Sequence, residues 1–127
     1  MDITRERETS KRALDPRPPL PRPRNLRERL GVSRERMGRL MDVSAKTIQR
    51  WEAKNTAPES LRLRRRLALI DEIINVGLLV YTEEGFHEFM TMPLAEFDSC
   101  TALQLIERDQ EERVLAALAS DYEGLGY

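Results

Sequence analysis

Sulfur and imidazole are nearly missing from this chain, which has one cysteine, Cys100, and one histidine, His87, among 127 residues. A lone thiol closes no intrachain disulfide, and one Cys with one His makes no metal-ligand cluster, so no disulfide scaffold and no metal site are expected. The same scarcity argues against catalysis. Cys100 has no base near it in sequence, and the paired carboxylates Glu83-Glu84 and Glu111-Glu112 fall in exposed helical contexts without an evident pocket. No enzymatic activity and no cofactor are expected. No apolar run reaches the length of a membrane span, and the first residues, MDITRERETSKR, are too charged for a signal peptide. The expected setting is a reducing cytoplasm, with no membrane partner. Glycines (six) and prolines (seven) are few, and no segment carries a strand signal. With 40% hydrophobic and 34% charged residues, what remains is an all-α globular chain of one domain, or of two very small ones sharing an interface.

Excess charge of either sign is also lacking, since the formal net charge is −1, but that sum conceals a division. Residues 1–80 hold 19 of the 21 basic and 11 of the 22 acidic residues, and residues 81–127 hold the remaining 2 basic and 11 acidic, so the parts carry +8 and −9. A basic part suits phosphate; an acidic part is repelled by it and suits a different partner.

Residues 1–24 read as a Pro/Arg-rich disordered tail. Five prolines between positions 16 and 23 preclude helix and sheet. An alternative gives Arg17, Arg22 and Arg24 a role as a DNA-contacting arm, and a PxxP ligand is a third. From Asn25 the pattern is helical: Leu26 and Leu30 lie one turn apart and Gly31 ends a first helix. Ser33 caps a second, through Met41, with Met37, Leu40 and Met41 on one face. Asp42 and Val43 turn the chain, and Ser44 caps a third helix to about Ala53, with Ile48 and Trp51 inward. Thr56-Ala57-Pro58-Glu59 has the form of a capping box with proline in the first turn, opening a long helix of about six turns on Leu63, Leu67, Ile70, Ile74, Gly77 and Leu78. Arg62, Arg65 and Arg66 are assigned to its outer face, either as a solvated surface or as phosphate contacts. Phe86, Phe89 and Met90 mark a shorter helix ended by Pro93. Thr101-x-x-Gln104 is a further capping box, and a last helix from about Gln110 to Tyr122 presents Val114, Leu115, Leu118 and Tyr122.

The stretch SRERMGRLMDVSAKTIQRWE has a spacing with a physical purpose. Gly38 stands where two helices cross closely, and Asp42 stands where a left-handed turn is needed. On the third helix Ala45, Lys46, Gln49 and Arg50 face outward, with Ser44 and Thr47 at the edge. Glu52 sits badly against phosphate and is expected to pair with a first-helix arginine such as Arg27. The segment is similar to the helix-turn-helix of the Xre, or phage-repressor-like, family, with Asp42 where that family mostly has glycine. The resemblance implies that Ala45, Lys46 and Arg50 face base edges, and that Ser44, Thr47 and Arg34 hold phosphate. A helix-turn-helix serving only as a packing unit is the alternative.

The second half, FHEFMTMPLAEFDSCTALQLIERDQEERVLAALASDYEGLGY, resembles the toxin-binding domain of the Xre/MbcA/ParS antitoxin family. That pattern runs through an aromatic helix, Pro-Leu, a turn, Thr-Pro-Leu-x-x-Leu and a final helix with a glycine-bearing tail. Here Phe86 and Phe89, Pro93-Leu94 and the segment from Thr101 to Ile106 take those places. Ala102 replaces the usual proline, and Asp98-Ser99 replaces a glycine-rich turn. The resemblance spans residues 25–127 and implies two parts: a DNA-binding helix-turn-helix with its linking helix, 25–80, and a toxin-binding and dimerising part, 81–127.

What the family implies is an antitoxin: a helical homodimer that neutralises a cognate RES-domain toxin, an NAD⁺-degrading enzyme, and represses its own operon by binding operator DNA. The tail Asp121, Tyr122, Glu123, Gly124, Leu125, Gly126 and Tyr127 is the expected toxin-binding element. Its carboxylates would mimic the NAD⁺ pyrophosphate, Leu125 and Tyr127 would be its apolar anchors, and its two glycines would keep it flexible. The apolar face of residues 86–118 is assigned to the dimer contact. An acidic terminal helix that merely aids solubility is the plainer reading of that end, and a stand-alone dimeric transcriptional regulator without a toxin is the competing function.

Overall fold

The computed structural model describes residues 20–125. Seven α-helices and one 3-10 turn follow in order: α1 Pro23–Leu30, α2 Arg34–Met41, α3 Ala45–Lys54, α4 Leu61–Val80, α5 Glu83–Thr91, the turn Ala95–Phe97, α6 Ala102–Glu107 and α7 Glu111–Glu123. No strand is formed among the described residues, whose only sheet-like pairing is an isolated bridge between Leu94 and Cys100. The all-α expectation therefore holds. No helix among them is long and apolar enough to cross a membrane.

Local chemistry sets most boundaries. Ser33, Ser44, Ser60, Thr82 and Thr101 each accept a hydrogen bond from the amide three residues on, which starts α2, α3, α4, α5 and α6. Gly31, Asp42 and Asn55 close α1, α2 and α3 in the left-handed region at φ 70°, 58° and 52°. Two boundaries differ from expectation. Helix α1 begins at Pro23 rather than Asn25, because a proline in the first turn needs no amide partner. The long helix begins at Leu61, not at Thr56. The Thr56 amide is bonded to the Trp51 carbonyl at 3.0 Å as part of the close of α3, and the cap belongs to Ser60.

Helix α4 is the axis of the molecule. Leu67, Ile70, Ile73, Ile74 and Gly77 are buried along it, α1 and α2 pack against it from the N-terminal side, and α5 and α7 from the C-terminal side. One hydrophobic core runs from Leu26 to Leu118 across residue 80. Phe86, Phe89, Met90, Leu105, Ile106, Val114 and Leu118 are all inside it, which corrects the assignment of this apolar face to a dimer contact. Burying those side chains in their own fold stabilises it by roughly 25 cal/mol per Å². Among the described residues, the large hydrophobics that stay exposed are Leu61, Leu79, Met92, Tyr122 and Leu125.

Candidate nucleic-acid interface and the acidic C-terminal helix

Helix α3 is set against α2 through a glycine. A Cβ on Gly38 would lie 2.7 Å from the Val43 carbonyl oxygen and 3.2 Å from the Ala45 nitrogen, so only glycine lets α2 cross the turn that leads into α3. Ile48 and Trp51 pin the inner face of α3, at 0% and 7% exposure. That orientation leaves Lys46, Gln49 and Arg50 exposed, with Ala45 and Thr47 half-buried at the margin. The Ser44 hydroxyl accepts from the Thr47 amide at 3.1 Å and lies 3.0 Å from the Thr47 hydroxyl, so both side chains cluster at the helix start.

On the inner side of α3 itself, Glu52 is the buried charge that holds the helix in place. Arg27 donates to both carboxylate oxygens, from Nε at 2.7 Å and from Nη2 at 3.0 Å, and Arg34 Nε donates at 3.2 Å. Arg24 stands 3.9 Å away. The bond from Arg27 holds the Glu52 carboxyl below its usual range, against the opposing effect of burial, and the charge of Arg34 adds to the lowering. The expected Arg27 partnership is thus present. Arg34, expected to hold phosphate, spends its Nε on Glu52 while remaining 43% exposed.

Other assigned arginines fall differently from expectation. Arg66 is not on the outer face of the long helix: its side chain is 8% exposed. It donates to the carbonyls of Leu40 and Ile106 and to the Asp109 carboxylate, so one cation joins the ends of α2 and α6. Glu107 adds a second tie, pairing with Arg36 at 2.7 Å and Arg39 at 3.4 Å. In the assigned tail, Arg22 donates to the Asn55 carbonyl at 2.6 Å and Arg24 pairs with Glu28 at 3.3 Å. Arg17 lies outside the described residues.

At the other end, Asp121, Tyr122 and Glu123 form the last turn of α7 rather than a flexible tail. Tyr81 Oη donates to Asp121 Oδ2 at 2.8 Å, so this carboxylate is already engaged. Burial, then that hydrogen bond and the charges of Asp121 and Glu96, push the Tyr81 phenol up to about 12. Tyr122 is 43% and Leu125 47% exposed, and Glu123 and Gly124 are also exposed. Gly126 and Tyr127 lie outside the described residues. Some of the acidity is structural: Glu83 and Glu84 occupy the first turn of α5, and Glu111 and Glu112 that of α7, where carboxylates oppose the helix dipole favourably. Two features had weak sequence signals. Phe97 is buried against Phe89, with ring centroids 6.0 Å apart. Tyr81, stacked on Phe89 at 5.5 Å, organises the end of α7.

No family model matches the chain. It is similar to the mycobacterial cidal antitoxin MbcA of Mycobacterium bovis and to that of Mycobacterium tuberculosis, at 26% identity over 98 residues, covering 77% of this chain and 86% of each relative. A chain in the crystal structure of the M. tuberculosis MbcT–MbcA toxin–antitoxin complex shares the fold, with a TM-score of 0.65 at 24% identity, over 83% of this chain and 94% of that one. The likeness in sequence is thus to antitoxins, and the likeness in structure is one of fold.

Proposed function

We propose that the chain is an antitoxin of a type II toxin–antitoxin pair, working in the cytoplasm as a homodimer. It binds and neutralises a cognate RES-domain toxin that degrades NAD⁺, and it represses its own operon through the helix-turn-helix. One observation carries the reading: in a chain similar to MbcA, a helix presenting Lys46, Gln49 and Arg50 to solvent is built on the same core as an acidic C-terminal helix with an exposed end. The first surface suits the major groove. Lys46 or Arg50 would donate to guanine N7 and O6, the Ala45 methyl would meet thymine, and Ser44, Thr47 and the outer nitrogens of Arg34 would hold phosphate. The second suits a basic cleft built for pyrophosphate, with Glu123 as the anion and Tyr122 and Leu125 as apolar anchors, continued by Gly124, Gly126 and Tyr127. Asp121 contributes by fixing the last turn of α7 through Tyr81.

The test pairs the chain with the product of the neighbouring gene. A RES-type toxin encoded there should deplete NAD⁺ and arrest growth. Full-length chain should restore both, and a chain ending at Asp121, which keeps the partner of Tyr81 but lacks Tyr122, Glu123 and Leu125, should not. Full protection by the shortened chain would overturn the tail assignment. A neighbourhood without a toxin, with operator binding intact, favours the stand-alone regulator. For the DNA half, Arg50→Ala should weaken operator binding by about 1–3 kcal/mol in a gel-shift titration. The homodimer is checked by sedimentation equilibrium at micromolar concentration.

A further inference from the structure

The cations of this fold divide into those its own carboxylates occupy and those left over. Arg24, Arg27 and Arg34 surround Glu52, Arg29 faces Asp71, Arg36 and Arg39 share Glu107, and Arg66 holds Asp109. The basic side chains of α3 and of the start of α4, namely Lys46, Arg50, Lys54, Arg64 and Arg65, have no carboxylate partner among the described residues. Arg62 has only Asp42, at 3.7 Å, with the two side chains 63% and 80% exposed. A pair so open to water contributes little and exchanges readily. It nevertheless sets the first turn of α4 beside the turn that leads into α3. Arg62 and Arg65, three residues apart, share a helix face and border one open groove of about 640 Å³ with Leu61 and Leu69. The carboxylates that border the groove, Asp109 and Glu111, pair with Arg66.

We infer that Arg62 and Arg65 form a second phosphate-binding patch, which grips the sugar–phosphate backbone of duplex DNA alongside the groove entered by α3. The inference rests on the DNA-binding reading above. Guanidinium forks match phosphate oxygens bidentately, and Leu61 and Leu69 border the same groove as both arginines. The N-terminus of α4 adds positive potential at the same place. In the free protein Arg62 neutralises Asp42, whose charge would otherwise repel the backbone next to Ser44. In the complex the same guanidinium reaches a phosphate.

The experiment is a salt titration of a short duplex of arbitrary sequence, read by fluorescence anisotropy, for wild type, Arg62→Ala/Arg65→Ala, Arg62→Lys/Arg65→Lys and Lys46→Ala/Arg50→Ala. Each phosphate contact contributes roughly 0.9 to the slope of log affinity against log salt, so the first double variant should lower the slope by about 1.8. The lysine variant should keep the wild-type slope, which separates charge from any loss of folding. An alanine variant with the wild-type slope overturns the patch alone, provided that Lys46→Ala/Arg50→Ala still lowers it. A wild-type chain that binds no duplex overturns the patch and the helix-turn-helix reading together. An unchanged slope with lost toxin capture assigns the groove to a protein and also overturns the inference.

Discussion

Glu52 is the buried charged residue of the described chain, and its worth depends on its partners. A carboxylate with two arginine bonds is stable where it is, whereas an amide in its place leaves Arg27 without a counter-charge and sets an NH2 donor against one of its two N–H groups, in a site where that side chain is only 17% exposed. Glu52→Gln should cost about 2–3 kcal/mol in denaturant unfolding at neutral pH. Because the folded carboxyl titrates below its usual value, its stabilisation is full above the unfolded pKa near 4.3 and is lost as pH falls through the folded one. Wild-type stability should therefore decline with acid below about pH 4, and the Gln variant should lack that component. Tyr81 behaves in the opposite sense. A phenol raised to about 12 contributes stability that is full below the unfolded value and is lost as pH rises through about 12. Tyr81→Phe should remove this alkaline loss and loosen the end of α7, read by amide exchange at Asp121–Glu123. Asp42, at φ 58°, occupies a left-handed position that costs a non-glycine residue about 1 kcal/mol. Asp42→Gly should raise stability by about 0.5–1 kcal/mol in chemical unfolding, since the pair lost with Arg62 is exposed.

At the scale of elements, the caps at Ser33, Ser44 and Thr101 were legible and the starts of α1 and α4 were not. Helix α6 has six residues, too short to persist without tertiary contacts, and its capping box is closed both ways: Gln104 N donates to Thr101 Oγ1 at 3.0 Å and Thr101 N to Gln104 Oε1 at 2.9 Å. Thr101→Ala should cost about 1 kcal/mol in thermal unfolding, while Thr101→Ser should cost little. The same reasoning from spacing misplaced the start of α4, since Thr56-x-x-Glu59 and Ser60 compete as caps and the winner depends on how α3 ends. Asn55 in the left-handed region draws the Thr56 amide back to Trp51 and leaves Ser60 to begin the next helix. The Asp98-Ser99 pair, standing where the family pattern has a glycine-rich turn, takes φ 56° and 66°, so two non-glycine residues hold the left-handed conformations of this turn.

At the scale of the whole molecule, the continuous core and the Glu107 pairs are joined by a guanidinium that bridges two helix ends. Arg66 meets the negative ends of α2 and α6 at once, binding the Leu40 carbonyl and adding a second donor to the Ile106 carbonyl, which also accepts from the Asp109 amide at 3.2 Å, where the N-terminal and C-terminal segments join. With the core continuous from α1 to α7, unfolding should be a single cooperative transition, with equal calorimetric and van't Hoff enthalpies. Residues 81–127 expressed alone should be unfolded by circular dichroism, because Val114 and Leu118 would lose α4. Arg66→Met should lower stability by about 3 kcal/mol. A calorimetric trace of Arg66→Met that split into two transitions would mark the guanidinium as the tie that makes the halves one unit.

Periodicity and capping chemistry are local, and they determined the helices: the apolar rows of α2, α3 and α4, the serine caps, the left-handed Asp42 and the close approach at Gly38 are all written within a few residues of where they act. Which polar group ends up inside is not local. Arg66 shares the helical row of Leu63, Ile70, Ile73 and Gly77, a sign of burial, yet only the arrival of two helix ends around it supplies the acceptors that make burial favourable. In the same way Asp121 reads as a free anion until Tyr81, forty residues earlier in the chain, is folded against it, and the apolar face from Phe86 to Leu118 reads as an interface until α2, α4 and its own helices close over it. Tertiary structure decided these three because desolvation is set by what packs on a group from elsewhere in the chain, and short-range sequence pattern carries no measure of that.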